Sequence, residues 1–150
     1  MDVAQHARIP KLTEILSDSH RAYTVRQGAV ADLLRVERRF PSTGAVEAMI
    51  TFSVQPDLDL EGAGLVASIA IGLVELGRES ATSALEQIAA NGNERCRRAC
   101  AGVLAARLKS LRRSADPLPD QEAVLRRVLD GMAASDSSPE VRRLAARPLK

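Results

Sequence analysis

Histidine and cysteine, the side chains that most often carry acid–base, nucleophilic or metal chemistry near neutral pH, occur only twice each in this 150-residue chain, as His6, His20, Cys96 and Cys100. Both histidines stand near the start and no serine lies in a nucleophile-elbow motif, so the sequence sets up no nucleophile–base pair. Cys96 and Cys100 are four apart, on one face of a helix, and could give zinc two ligands. A zinc site needs three or four, and the second half of the chain has no histidine. The same spacing is poor for a mutual disulfide. Both therefore read as reduced thiols filling a helix–helix contact. Asp57 and Asp59 share a proline-containing loop, where acids serve mainly to cap and solubilise. No glycine-rich phosphate loop is present. The expectation is a protein that is not an enzyme, with no catalytic, cofactor-binding or metal-ligating residues.

Charge is distributed unevenly. Residues 1–90 hold 8 Lys and Arg against 12 Asp and Glu, and residues 91–150 hold 13 against 7, so the halves carry −4 and +6. On a helical wheel at about 100° per residue, Arg95, Arg98, Lys109, Arg112 and Arg113 fall within about 100° of one another, opposite the cysteines. Arg143 and Arg147 extend this basic stripe in the equivalent outward direction of the last helix. Such a stripe attracts an acidic protein surface or a nucleic-acid backbone. Single-stranded nucleic acid wants aromatic stacking platforms, and the chain has one Tyr, two Phe and no Trp. An acidic protein is the partner expected, with backbone contact to nucleic acid as the alternative. Arg107 stands apart: on the wheel it points into the cysteine face, where a guanidinium needs a partner, expected to be Glu122 or Asp120.

The elements that must position these residues read as helices throughout. The chain is rich in Ala, Leu and Arg, which lose little on entering a helix, and poor in aromatics. Apolar spacing of three and four predicts helices over Ile9–Ser17, His20–Arg39, Gly44–Val54, Gly62–Leu76, Ser80–Ala90, Glu94–Leu111 and Asp120–Ala134, and one starting after Ser138. Pro41-Ser42-Thr43, Gln55-Pro56-Asp57, Gly77 and Asn91-Gly92-Asn93 separate them, and Ser114–Pro119 is a linker. Gly62–Leu76 is apolar all round, as a central helix would be, and Gly64 and Gly72 permit close backbone approach. Its uncharged run is about 13 residues, short of the roughly 20 that cross a bilayer. The amino terminus offers no apolar run for a signal peptide. A cytoplasmic, single-domain protein spanning residues 1–150 is expected, with no membrane partner.

Eight helices make four pairs. Superposing the second helices aligns Val25, Val66, Cys96 and Val141, and four residues later Ala29, Ala70, Cys100 and Ala145. At Asp136, Val141, Arg142 and Ala145 the chain resembles a HEAT repeat. That resemblance implies a bacterial-type right-handed α-solenoid of about four antiparallel helix pairs, the alternative being a compact helical bundle. It also implies that Asp136 and Arg142 are structural charges linking neighbouring repeats. Arg26 and Arg97 match Arg142, whereas Ala67 stands where an arginine is expected, and His20, Glu61 and Asn91 hold the turn position. HEAT proteins share no activity. The resemblance points to an adaptor, scaffold or inhibitor that binds another protein through its second helices, with a homodimer through an end repeat as a further expectation.

Overall fold

The computed structural model describes residues 3–41 and 44–150, with side chains from Ala7 onward. These residues form eight α-helices and no strand: α1 (Val3–Ser17), α2 (Tyr23–Arg39), α3 (Ala45–Ser53), α4 (Leu60–Leu76), α5 (Glu79–Asn91), α6 (Glu94–Arg113), α7 (Pro119–Ser135) and α8 (Pro139–Ala146), followed by a 3-10 turn over Arg147–Leu149. No helix among them is long and apolar enough to cross a membrane. The ends are set by local chemistry. Asp59 accepts from the Gly62 amide, Asn93 from the Cys96 amide and Ser138 from the Val141 amide, each satisfying an otherwise orphaned N–H at the first turn. Pro139 occupies the first turn of α8, where its missing N–H costs nothing. Gly77 ends α4 in the left-handed region at φ 66°, which a side chain would strain.

Two starts differ from expectation. α1 begins at Val3 rather than Ile9 and carries Pro10 in its interior. His6 therefore belongs to a helix, although its side chain lies outside the described residues, as do Ser42 and Thr43 of the expected break. α2 begins at Tyr23 rather than His20, because Asp18 draws residues 18–21 into a turn, accepting from the His20 amide at 3.0 Å. Val25 is consequently 46% exposed, while its sequence counterparts Val66, Cys96 and Val141 are buried; Arg26 takes the inward place. The position four residues later does hold, since Ala29, Ala70, Cys100 and Ala145 are all buried.

Packing follows a simple order. Each helix packs on its neighbour in sequence, and beyond that α2 packs on α4, α4 on α6 and α6 on α8, while α1 packs on α3, α3 on α5 and α5 on α7; α4 also touches α7. The even-numbered helices run in one direction. Tyr23 and Leu34 of α2 meet Gly64 and Gly72 of α4, and the starts of α4 and α6 meet through Asn93, which donates to the Leu58 carbonyl. The two glycines are what allow the approach: a methyl group at residue 72 would overlap Leu34, and one at residue 64 would stand 2.7 Å from the Tyr23 hydroxyl. α4 supplies much of the core, with Leu65, Val66, Ile69, Ala70, Leu73 and Val74 all buried. Burying these side chains is the main favourable term in holding the helices together.

Candidate partner-binding surface

The arginines divide into those held within the chain and those left outside it. Arg26 and Arg97, at matching places near the starts of α2 and α6, are held in the same way. Each donates to a carbonyl at the carboxyl end of the preceding helix, Leu16 at 2.9 Å and Gly92 at 2.9 Å. Each also reaches an acid at or just before the even-numbered helix that follows: Arg26 meets Glu61 at 3.1 Å, and Arg97 meets Asp136 at 2.9 and 3.3 Å. The second pair is well buried, with the Arg97 and Asp136 side chains 14% and 4% exposed. Asp136 also accepts from the Ser138 amide at 2.8 Å, which fixes the turn into α8. Arg142 closes the same turn, donating to the Asp136 carbonyl at 2.6 Å rather than to a neighbouring helix pair.

Two further arginines reach across longer stretches of sequence. Arg107 pairs with Glu75 of α4 at 3.1 Å, not with Glu122 or Asp120 as the sequence suggested. The reason is geometric. α4 and α6 run parallel, so the carboxyl end of α4 lies beside the second half of α6. Arg127 of α7 grips both Glu79 and Glu86 of α5, at 3.0 and 2.7 Å, a clamp with no sequence warning because the partners are 48 and 41 positions apart. These two carboxylates hold the Arg127 guanidinium well above its ordinary pKa.

The seven residues of the basic stripe separate into two groups. Arg95 and Arg98 sit at the start of α6. Arg95 is exposed, with one 3.4 Å bond to the Leu58 carbonyl, and Arg98 pairs with Glu140 of α8 at 3.3 Å. Lys109, Arg112 and Arg113 lie at the other end of α6, at least ~16 Å further along its axis. All three are exposed, as are Arg143 and Arg147. Among the described residues none of these five has a carboxylate partner within the chain. Lys109 and Arg113 share an open depression of about 560 Å³ with Ala106, Ser110 and Ser114. The charge pattern of the sequence singled out the two cations but not the two serines interleaved with them.

A second cleft, of about 510 Å³, opens between α5 and α7. Ala89, Ala90, Val128 and Met132 form its apolar wall, and the Arg97–Asp136 pair closes one end. Small residues on both helices leave this space, a pattern not singled out in the sequence. Cys96 and Cys100 are buried free thiols. Burial pushes the Cys100 thiol up to about 12 and that of Cys96 upward as well, which favours the protonated thiol in both. No group of three or more His, Cys, Asp and Glu side chains comes together among the described residues in a way that could hold a metal ion. No protein-family model, curated protein or solved structure matches this chain.

Proposed function

We propose that this chain is a non-catalytic helical-repeat module that binds an acidic protein partner through the exposed cations of α6 and α8, as an adaptor, scaffold or inhibitor would. The observation that carries it is the contrast among the cations. Arg26, Arg78, Arg97, Arg107 and Arg127 each meet a carboxylate of the chain. Lys109, Arg112, Arg113, Arg143 and Arg147 meet none among the described residues. Cations that are solvated and unneutralised steer an oppositely charged partner.

The order of packing supports a HEAT-like α-solenoid as the frame. A bundle gathered about one centre brings its first and last helices together, whereas here packing passes mainly from each helix to those one and two places along, the contact of α4 with α7 being a longer step. The repeated hold on Arg26 and Arg97 supports it as well, each bridging to the next pair. Ala67, which cannot make such a bridge, stands in the helix between them.

Fluorescence anisotropy with a labelled poly-glutamate peptide and with random-sequence duplex DNA, each over a series of salt concentrations, tests the function. Saturable binding of the peptide, reduced by about tenfold or more on joint reversal of Lys109, Arg112 and Arg113 to Glu, is expected. Unchanged binding by the reversed variant would move the site elsewhere. Tighter binding of duplex with a steep salt dependence would replace the protein partner with a nucleic-acid backbone.

A further inference from the structure

The depression at the end of α6 is built more specifically than a general acidic surface requires. Its lining, Ala106, Lys109, Ser110, Arg113 and Ser114, contains two cations, two hydroxyls and no anion. Lys109 and Arg113 are one helical turn apart, which sets their Cβ atoms about 5–6 Å from each other on a single face. Ser110 adjoins Lys109. Ser114 is already engaged, exchanging hydrogen bonds with the backbone of Asp116 at 3.1 and 3.2 Å, and so holds that side of the hollow in place. Among the described residues the Ser110 hydroxyl has no hydrogen-bond partner, and neither cation has a carboxylate.

We infer that this hollow is a phosphate subsite, and that the partner presents to it a phosphorylated serine or threonine; the inference rests on the reading of the basic surface as the binding face. A phosphoryl monoester has three terminal oxygens and carries close to two negative charges at neutral pH. It thus offers one oxygen to each of three donors, the Lys109 ammonium, the Arg113 guanidinium and the Ser110 hydroxyl, with two cations against two charges. A carboxylate, with two oxygens and one charge, leaves a donor and a cation unmatched. A phosphodiester likewise has two free oxygens and one charge. The carboxyl end of α6 brings roughly half a unit of negative charge, which opposes an anion there. Arg112 and Arg113, both in the last turn, outweigh it.

Amide spectra of the ¹⁵N-labelled full chain, titrated with a short Gly/Ser peptide bearing one phosphoserine, decide the matter. The comparison ligands are the unphosphorylated peptide, its glutamate form and inorganic phosphate. The phosphopeptide is expected to shift the amides of residues 106–114 and to bind at least about tenfold tighter than the glutamate form. Inorganic phosphate should shift the same amides at higher concentration. Lys109→Gln and Arg113→Gln should each weaken the phosphopeptide about tenfold. Ser110→Ala should weaken it several-fold, and Lys11→Gln, on the exposed surface of α1, should leave it unchanged. Equal binding of the phosphopeptide and glutamate forms, or shifts that bypass residues 106–114, overturns the phosphate subsite. If poly-glutamate still binds through Lys109, Arg112 and Arg113 in that case, the acidic-surface reading survives; if neither ligand binds, both fall.

Discussion

Replacing Arg97 by alanine tests whether the contact at the starts of α6 and α8 is structural or incidental. The guanidinium makes four hydrogen bonds, two to Asp136, one to the Gly92 carbonyl at 2.9 Å and one to the Ser137 hydroxyl at 3.3 Å. Removing it leaves the Asp136 carboxylate, 4% exposed, with the Ser138 amide as its remaining donor, and leaves Gly92 buried without that partner for its carbonyl. Breaking a buried pair from one side costs ~3–5 kcal/mol; the 14% exposure of Arg97 moves the expectation to the lower end, about 3 kcal/mol. For a chain of this size that is a fall in Tm of roughly 6–12 °C. The adjacent Arg98 is the control. It pairs with Glu140, but at 42% and 49% exposure that pair contributes at most about 1 kcal/mol. Its Nε is buried with no acceptor, so Arg98→Met removes an orphaned donor as well and should be close to neutral. Urea unfolding of the two variants, with Asp136→Asn and the Arg97→Ala/Asp136→Asn double variant, completes a cycle with expected coupling of about 2 kcal/mol. Equal stability of Arg97→Ala and Arg98→Met, or additivity in the cycle, would refute the structural role.

Two other consequences concern the core. Gly72→Ala gains about 1 kcal/mol of helix propensity but drives a methyl group into Leu34, and should destabilise by ~1–3 kcal/mol overall. Adding Leu34→Ala should relieve the overlap, and a neutral or stabilising Gly72→Ala in calorimetry would show that α2 and α4 do not approach so closely. At Cys100, burial raises the thiol from 9.0 to about 12, so the folded chain keeps a proton that the unfolded chain gives up above pH 9. Its contribution is fully present below pH 9 and is lost as pH rises towards 12, so stability should fall faster with pH in that window than in Cys100→Ala. Identical slopes for the two proteins in urea unfolding would contradict this burial, as would ready alkylation of native Cys100 at pH 8.

Much of the fold was legible because helix boundaries are local chemistry. Asn93, Ser138, Pro139 and Gly77 each fulfil the capping or stopping role that their types suggest; α3 to α7 begin and end within about two residues of where apolar spacing put them, and α8 starts directly after Ser138. The misreadings come from places where a local rule meets a competing one. Apolar spacing put the first helix at Ile9, yet α1 starts at Val3 and continues through Pro10. Val25 looked like a core residue from its spacing, but α2 starts only at Tyr23 and leaves Val25 exposed in its first turn, while Arg26 beside it is buried, where Glu61 and the Leu16 carbonyl satisfy it. The cross-chain pairings were the least legible. Whether Arg107 meets Glu75 or Glu122 depends on the direction of neighbouring helices, which no local pattern encodes.

That same ambiguity explains why the charge imbalance of the sequence was a blunt guide to the surface. Part of the −4 and +6 contrast cancels inside the molecule, because Arg107 and Arg127 of the second half neutralise Glu75, Glu79 and Glu86 of the first. What remains is local. Arg112 and Arg113 in the last turn of α6, and Arg143 in that of α8, have an ordinary structural reason to be there, since cations at a carboxyl end stabilise the helix dipole. Lys109 lies a turn earlier, is exposed, and forms no pair among the described residues, so neither the dipole nor a partner within the chain accounts for it. It is therefore the residue at which stability and binding separate most cleanly. Lys109→Gln should unfold with wild-type urea dependence while losing affinity, whereas loss of stability in step with affinity would return the lysine to the scaffold.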